Sequence, residues 1–398
     1  MNPSQTPEGA DSSRPLTLAA HAAFVPIGTV TVLLGPLLPT LSARWSLDYA
    51  QAGSLFTVQF LASTVGVALS GFSVSRWGYR FAMKAGLLAM AVGVAGLPYS
   101  ARVLGAACIG LYGFGFGVAV PAANLLVAEV HPLRRSAALN LLNFSWSAGA
   151  VACPFLVAAA AREHLVPSLL AAFAAVLFLV TAGIAAMPRR IVEPLASGGK
   201  GASMAAPVDW RSNPVLLLAT LFFLYVGVEN SFGGWIASYA KSLGTLSLAM
   251  ALMSPSFFYS ALMVGRWLAS RLLKRVEEIA LARAGLLMAC TGITWLLLSH
   301  AVLGVLGGAM LAGFGLAAVY PITISLLSRE FGEAASRVGS VMFAVANLGG
   351  ALLPELVGYF SKHSGSVRVG MVVPLLASGA MCTLYLMNWN ASARRVTA

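Results

Sequence analysis

Long apolar runs alternate with short polar breaks along almost the whole chain. Twelve of these runs reach the ~20 residues that an α-helix needs to cross the hydrocarbon core of a bilayer. The predicted spans are 16–42, 49–74, 80–99, 103–129, 136–160, 166–187, 214–240, 246–270, 278–299, 301–328, 337–361 and 367–388. The pattern therefore predicts an all-α membrane protein with twelve transmembrane helices.

One polar stretch rich in Gly, Ser and Arg separates the first six runs from the second six. It predicts a cytoplasmic linker at 188–213, between an N-terminal six-helix bundle at 1–187 and a C-terminal bundle at 214–398. Residues 1–15 are expected to form a cytoplasmic tail. The first apolar run is longer than the core of a cleaved signal peptide, so we interpret it as a retained span.

The two halves repeat each other in sequence. A shift of 199 residues lays Lys84–Leu88 on Arg283–Leu287, and a shift of 200 lays Gly113–Gly115 on Gly313–Gly315. Six helices duplicated in the same orientation give two bundles related by an axis along the membrane normal. Such bundles can expose a site between them to each side of the membrane in turn. We therefore expect transport by alternating access.

The basic residues indicate an orientation in the membrane. The chain carries 25 Lys and Arg against 13 Asp and Glu, a net charge of +12. If the N-terminus is cytoplasmic, nineteen of the 25 basic residues lie at or near the cytoplasmic side and six at the other. This positive-inside bias predicts two cytoplasmic termini in a plasma membrane, such as a bacterial inner membrane, and no nucleic-acid partner.

Several classes of protein are excluded by what the sequence lacks. At 59% hydrophobic and 10% charged residues, the chain cannot cover a soluble surface. The glycines at 113–117 lie inside a predicted span, without the strand–turn–helix setting of a nucleotide loop. We find no metal-ligand cluster and no nucleophile with a base. We expect no enzymatic activity, no cofactor and no metal, and a proton or sodium gradient as the energy source.

The segment Gly71–Arg80, with the sequence GFSVSRWGYR, lies between predicted spans 2 and 3. It resembles the signature loop of the major facilitator superfamily, although Ser75 replaces the family's Asp, and Lys274 stands at the repeat-related place. The resemblance implies the major facilitator fold over the full chain. It also implies that a cytoplasmic gate includes Gly71, Arg76, Gly78, Arg80 and Arg275.

Two shorter segments suggest a branch of this superfamily. Phe223–Glu229, followed by Trp235, resembles span 7 of the fucose–galactose–glucose:proton symporters, and Ala122–Asn124 resembles part of their span 4. This resemblance implies a sugar or similar polyhydroxylated substrate moved with a proton. The chain departs from the branch at Val120, where the branch has an acid.

Glu229 is the strongest candidate for chemistry because it falls near the middle of predicted span 7. An ionisable group at that depth is costly unless it faces water or a partner. We expect Glu229 to carry the coupling proton, to bind substrate hydroxyls, or both; a neutral, hydrogen-bonded structural acid is the alternative. Arg266 is expected to extend to the cytoplasmic interface or to tether a loop, with a role as a ligand as the alternative, and Glu355 to line an external vestibule or pair with Lys362.

Neutral polar and aromatic side chains inside the spans complete the predicted site. Asn143 and Ser147 are four residues apart and share a helix face, and Asn347 is the repeat counterpart of Ser147. Amides and hydroxyls suit a polyol, and aromatic rings can stack on a sugar; interhelical hydrogen bonding is the alternative. The predicted substrate-binding residues are Gln59, Asn124, Asn143, Trp146, Ser147, Glu229, Asn230, Trp235, Tyr320 and Asn347.

These observations favour a secondary active transporter that moves a small polar solute, foremost a monosaccharide, with a proton. We expect it to act as a monomer in the lipid bilayer. One alternative is a proton-driven exporter of drugs or metabolites. A non-transporting membrane receptor or scaffold is the alternative from another class.

Overall fold

The computed structural model describes residues 8–131, 135–187, 208–273 and 275–396. The predicted linker residues 188–207, the first seven residues of the predicted tail and Lys274 lie outside this range. The described chain forms fourteen α-helices and no strand. They are α1 (Glu8–Thr31), α2 (Leu34–Trp45), α3 (Tyr49–Gly96), α4 (Arg102–Val130), α5 (Arg135–Arg162), α6 (Val166–Ala186), α7 (Asn213–Ser242), α8 (Leu248–Leu272), α9 (Glu278–Leu298), α10 (Val302–Leu316), α11 (Val319–Phe331), α12 (Ala335–Ser364), α13 (Val367–Gly370) and α14 (Val372–Val396).

The described helices supply eleven segments that are long and apolar enough to cross a membrane. One of them, Tyr49–Tyr99, has 51 residues. At a rise of about 1.5 Å per residue it is roughly 77 Å long, more than twice a hydrocarbon core of about 30 Å. Its helix α3 is interrupted at Gly78, where φ is 83° and ψ is 169°, a conformation that glycine adopts most readily. It therefore supplies two spans, and the predicted all-α, twelve-span fold is confirmed.

Three predicted spans are each divided into two helices; in predicted span 12 these are α13 and α14, separated by Met371. Predicted span 1 comprises α1 and α2, with a break at Val32–Leu33, and predicted span 10 comprises α10 and α11, with a break at Ala317–Ala318. Proline has no N–H to donate to the carbonyl four residues earlier. Pro36 therefore leaves the carbonyl of Val32 without its helical donor, and Pro321 does the same to Ala317. Each of these two breaks lies where that hydrogen bond is missing.

The backbone divides into two compact units. The first comprises the described parts of Met1–Thr31, Val58–Ala152 and His164–Ser203. The second comprises those of Val32–Thr57, Cys153–Glu163 and Met204–Ala398. These units do not follow the boundaries expected for the two bundles, because α2, the start of α3 and the end of α5 group with the second unit. The bundle boundaries at 187 and 214 stay a prediction.

Each unit contains the same close glycine contacts. A Cβ added at Gly86 in the first unit would meet the carbonyl oxygen of Gly115, and a Cβ at Gly285 in the second unit would meet that of Gly315. These pairs are related by the shifts of 199 and 200 residues found in the sequence. Small residues let membrane helices approach closely. The sequence repeat is therefore also a repeat of helix packing.

A second glycine pair joins the first and fifth helices of each predicted repeat. A Cβ at Gly149 would meet the carbonyl oxygen of Val25 in the first unit, and one at Gly349 would meet that of Phe223 in the second. In the second unit this contact joins α7 to α12. Because α7 carries Glu229, the packing at Gly349 helps to set the position of the candidate site.

Asp48 caps the start of α3. Its Oδ1 accepts a hydrogen bond from the backbone N–H of Gln51 at 2.8 Å, and the Gln51 Oε1 accepts one from the Asp48 N–H at 3.2 Å. This reciprocal pair is a capping box. The Asp48 Oδ2 also lies 3.0 Å from the Nζ of Lys362 at the end of α12. The Gln51 hydrogen bond first, and Lys362 second, lower the pKa of Asp48 below its ordinary value.

The expected pairing of Glu355 with Lys362 is wrong. Lys362 pairs with Asp48 instead, and the Glu355 Oε2 accepts a hydrogen bond from the Thr57 hydroxyl at 2.6 Å. Both interactions lie within the second unit. They tie the start of α3 to α12, because Asp48 and Thr57 flank its first turns.

We expect Gly349→Ala to destabilise the protein by about 1–3 kcal/mol, because the added methyl group overpacks the contact with Phe223. Gly379→Ala is the matched control in α14, since nothing lies within 4 Å of a Cβ at Gly379. Thermal unfolding of the purified protein in detergent measures both variants. Equal shifts in Tm for the two variants would contradict the packing argument.

The Asp48 capping box should make part of the stability depend on pH. A carboxyl with a lowered pKa stabilises the folded state above its unfolded pKa of about 3.9, and this contribution is lost as the pH falls through the lowered pKa. We expect Asp48→Ala to cost about 0.5–2 kcal/mol at pH 7 and progressively less in acid.

Lys362→Met is the control for the Asp48 variant. It removes only a partly exposed ion pair, which is worth at most about 1 kcal/mol. Unfolding of the three proteins between pH 3 and pH 7 provides the measurement. An Asp48→Ala effect that grows toward acid pH would refute the assignment.

Candidate functional site

An ion pair at the middle of α7 is the centre of the candidate site. Glu229 lies 16 residues after the first residue of α7 and 13 before the last, about 24 Å and 20 Å from its ends. The Arg266 Nη2 on α8 lies 3.4 Å from the Glu229 Oε1, and the two side chains are 23% and 13% exposed, respectively. Both residues belong to the second unit.

The interpretation of Arg266 as an interfacial residue is wrong. Its guanidinium contacts Glu229, and the same Nη2 donates a hydrogen bond to the Tyr225 hydroxyl at 3.4 Å. Tyr225 and Glu229 are four residues apart and share a face of α7, so one arginine reaches both. In a medium of low dielectric constant an unpaired charge is far more costly than a paired one. The ion pair with Glu229 therefore stabilises the Arg266 charge more than exposure at the nearby interface would.

Aromatic rings pack beside the ion pair. The ring centroids of Tyr225 and Tyr320 are 5.1 Å apart, and those of Phe222 and Tyr320 are 5.7 Å apart. Tyr320 is the second residue of α11, so the helix break four residues before Pro321 positions it. Phe222 also contacts Phe343 of α12, at 5.9 Å. The sequence had pointed to Tyr320; Phe222 and Phe343 gave no signal that set them apart from other apolar residues.

The other predicted residues of the second unit differ in how their polar atoms are used. Trp235 is fully buried, and its Nε1 donates a hydrogen bond to the carbonyl of Pro354 at 3.0 Å. The Asn230 amide donates to the carbonyl of Val226 at 2.8 Å. Asn347, on α12, is partly exposed. Trp235 thus joins α7 to α12, whereas Asn230 and Asn347 keep part of their surface accessible.

In the first unit, Gln59 is tied into the helix packing. It is 2% exposed. Its Nε2 donates to the carbonyl of Thr31 at 3.0 Å, and its Oε1 accepts from the Tyr112 hydroxyl at 3.2 Å. Both ends of the amide are therefore occupied within the protein. This arrangement is the interhelical hydrogen bonding that the sequence left open as the alternative for such residues.

The remaining polar candidates of the first unit bond to their own helices. The amides of Asn124 and Asn143 donate to the carbonyls four residues earlier, at 3.0 Å and 2.9 Å, and the Ser147 hydroxyl donates to the carbonyl of Asn143 at 3.0 Å. The carbonyl oxygen of each amide is not engaged by these bonds. Trp146 is partly exposed, and its backbone carbonyl packs against Gly28.

Four of the five predicted gate residues, Gly71, Arg76, Gly78 and Arg80, lie in α3 near its break. Arg80 donates from Nη1 to the carbonyl of Met187, just after the last residue of α6, at 3.4 Å, so it caps the end of that helix. Gly71 and Arg76 are exposed, and a Cβ at Gly71 would meet nothing within 4 Å. Arg275 is exposed in the turn after α8. Their role in a gate stays a prediction.

The described residues contain no group of three or more His, Cys, Asp or Glu side chains that could hold a metal ion. The site is therefore built from one carboxylate, one guanidinium and several phenol rings. Such a set can bind a proton, exchange hydrogen bonds with a polar solute and pack against its apolar faces.

A family model described as the Major Facilitator Superfamily matches residues 21–354. Two curated relatives cover nearly the whole chain. An uncharacterized MFS-type transporter of Yersinia pestis is 24% identical, over 96% of this chain and 95% of its own length. The protein TsgA of Escherichia coli is 22% identical, over 94% of this chain and 93% of its own length.

Solved structures share the fold at low sequence identity. A bacterial homologue of the human lysosomal transporter Spinster has a TM-score of 0.75 at 14% identity and covers 96% of this chain and 97% of its own. The D-xylose–proton symporter has 0.73 at 16%, over 92% and 96%. Two structures of the Escherichia coli fucose:proton symporter are each 17% identical to this chain. Their TM-scores are 0.64 and 0.65; the first covers 93% of this chain and 97% of its own, and the second 94% and 98%.

We expect Glu229→Gln and Arg266→Gln each to destabilise the protein by roughly 3–5 kcal/mol, because each leaves one charge without its partner. The double variant, Glu229→Gln with Arg266→Gln, should recover most of that loss, since neither charge remains. A double-mutant cycle on thermal unfolding in detergent measures the coupling.

Arg271→Gln is the control for Arg266. Arg271 lies on the same helix, but its guanidinium stacks on the Trp267 ring with its carbon 4.1 Å from the ring centroid. Its replacement should change stability little, whatever happens at Glu229. Additive effects of the two single variants would show that Glu229 and Arg266 do not interact.

Proposed function

The chain belongs to the Major Facilitator Superfamily, and from that premise we propose that it couples the movement of a proton to that of a small polar solute. Family membership makes it a multi-pass membrane transporter for a small molecule and not an enzyme. The proposal concerns the solute, foremost a monosaccharide, and the proton, with Glu229 as the residue that binds it. Alternating access between two bundles is part of the same proposal.

The observation that carries this proposal is the Glu229–Arg266 contact at the middle of a membrane-spanning helix. Charges at that depth are rare and are typical of ion and substrate pathways. A proton taken up by Glu229 removes one of the two charges and with it most of the attraction to Arg266. Proton binding therefore changes the interaction between α7 and α8. Transport coupled to a proton needs such a change.

Three features support a sugar-like solute. The partly exposed ring of Tyr320 lies beside the ion pair, backed by the buried rings of Tyr225 and Phe222, and a flat apolar ring suits the C–H face of a sugar. Asn143 is exposed and Asn347 partly exposed, and amides offer both donors and acceptors to hydroxyl groups. Structures that share the fold include symporters of D-xylose and fucose with protons.

The predicted substrate-binding set is proposed with two distinctions. Asn124, Asn143, Trp146, Ser147, Asn230, Tyr320 and Asn347 are proposed to contact the solute, together with Glu229. Gln59 and Trp235 have their polar atoms engaged within the protein, so we propose that they support the site from behind. The gate residues, a plasma-membrane location with both termini cytoplasmic, and a monomeric state belong to the same proposal.

We expect Glu229→Gln to abolish proton-driven accumulation of a transported sugar in proteoliposomes, because an amide cannot pick up and release the coupling proton. Exchange of labelled for unlabelled sugar should persist, and its pH dependence should disappear. Uptake driven by an imposed pH gradient, measured over a panel of neutral and acidic monosaccharides, tests this expectation. An unchanged uptake and pH profile in the variant would refute the role of Glu229.

Glu355→Gln is the matched control, since Glu355 is a second acid within a spanning helix and is hydrogen-bonded to Thr57. It should keep proton-driven uptake. The direction of the gradient that drives movement separates the two transport modes. Movement of drugs or metabolites, in place of sugars, in the direction opposite to the proton flux would instead identify the proton-driven exporter. Movement of no solute would favour the receptor or scaffold.

A further inference from the structure

We propose that the transported solute carries one carboxylate group and that Arg266 binds this group whenever Glu229 holds a proton. This inference deepens the proposed function and rests on it, since it assigns the solute class of the same site. The class is a monosaccharide acid, a polyol with a single negative charge, in place of a neutral sugar. Arg266 becomes the residue that selects for charge.

The geometry of the pair leaves Arg266 available to a second acceptor. The guanidinium reaches Glu229 through one nitrogen, Nη2, at 3.4 Å. Strong charge-assisted hydrogen bonds are about 2.7–2.9 Å long, and arginine often holds a carboxylate through two parallel bonds. The observed contact is long and uses one donor nitrogen of a group with five N–H donors. Because the side chain is 23% exposed, part of its donor surface is open.

The charges around Glu229 are few. The titratable groups that interact electrostatically with it, within the part of the chain that the structure describes, are Arg266 and Tyr259 of α8, Tyr225 of its own helix and Tyr320 of α11. Besides Glu229, Arg266 is the only group in this set that carries a charge at neutral pH. The local charge is therefore zero when Glu229 is ionised and +1 when it is protonated.

A protonated Glu229 requires a new anion. Arginine keeps its proton in proteins, so neutralising Glu229 leaves a lone cation deep in the membrane, which is costly. One carboxylate from the solute restores a local charge of zero. The proton goes from water to the Glu229 carboxylate, and the solute stays ionised. The empty site and the fully loaded site are then both neutral, whereas a site that holds only the proton or only the anion is charged.

This charge balance predicts tight coupling between the two cargoes. Only the two neutral states of the site are stable in the low-dielectric interior, so only they change from one side of the membrane to the other at small cost. The proton and the anion therefore move together and carry no net charge. A neutral sugar would leave the protonated site at +1. A phosphomonoester, with a charge near −2 at neutral pH, would leave it close to −1. Both are disfavoured relative to a monocarboxylate.

The neighbouring phenols suit the same solute. Tyr225 and Tyr320 face each other with ring centroids 5.1 Å apart, and the Tyr225 hydroxyl contacts the same guanidinium nitrogen as Glu229. Phenol hydroxyls can donate to a carboxylate and accept from a sugar hydroxyl. The Tyr320 ring is partly exposed, whereas that of Tyr225 is buried behind it, so the Tyr320 ring can pack against the C–H face of the same molecule. The arrangement thus offers a charged end and an apolar wall within one site.

The test compares D-galacturonate and D-gluconate with D-galactose, D-glucose and glucose 6-phosphate in proteoliposomes of the full-length protein. A pH gradient, acid outside, drives uptake, and potassium with valinomycin sets the membrane potential independently. We expect uptake of a sugar acid that follows the pH gradient and does not respond to the potential. Uptake of a neutral sugar, if any, should be at least tenfold lower.

Variants identify the residue. We expect Arg266→Gln to weaken binding of the sugar acid roughly 10- to 100-fold, the usual cost of losing a hydrogen bond to a charged group. The double variant with Glu229→Gln has no unpaired charge, and it should lose the anion in the same way even where the single variant unfolds. Arg271→Gln should bind as the wild type does. Glu229→Gln should bind the sugar acid with an affinity that no longer varies with pH.

Three results would overturn the inference, in different ways. Proton-driven uptake of a neutral sugar or of glucose 6-phosphate, without uptake of the sugar acids, would show that the solute does not need a carboxylate. The proposed proton symport would remain intact. Movement of none of the five probes together with no proton flux would remove the proposed symport of sugars as well. Equal binding of the sugar acid by the wild type and the double variant would remove Arg266 from the site.

Discussion

The pairing of Glu229 with Arg266 is the interaction on which the site of this protein depends. Neither charge is stable alone at mid-membrane, because the surrounding helices and lipid cannot solvate it. Together they form a neutral unit that joins α7 to α8, and either can be released only when another charge takes its place. In the proposed mechanism a proton and an anion satisfy this condition, so that one contact links stability, coupling and selectivity.

The remainder of the second unit holds this pair in position. Gly349 lets α12 approach α7 at the level of Phe223, and Trp235 ties the same two helices by its hydrogen bond to Pro354. Pro321 breaks the helix after α10 and places Tyr320 against Tyr225. The glycine contact, the tryptophan hydrogen bond and the proline break set the positions of the helices, and through them the positions of the side chains near Glu229.

The candidate site was only partly predictable from sequence. Glu229 stood out because an acid inside an apolar run is rare, and Tyr320 stood out as an aromatic within a span. Arg266 was misjudged, since its place near the end of a span is also typical of a residue that reaches the interface. Gln59 resembled a binding residue in sequence, but Thr31 and Tyr112 occupy both ends of its amide. Such occupancy depends on neighbours that sequence does not reveal.

The sequence by itself determined the membrane fold, the number of spans and the internal repeat. These follow from the length of apolar runs and from matching residues 199 or 200 positions apart, and both can be recognised without knowing which helices meet. Only the tertiary structure decided which side chains meet: that Lys362 pairs with Asp48 and not Glu355, and that Arg266 turns to Glu229. The reason is that burial is encoded locally, whereas the choice of a partner depends on distances between helices that the chain brings together only on folding.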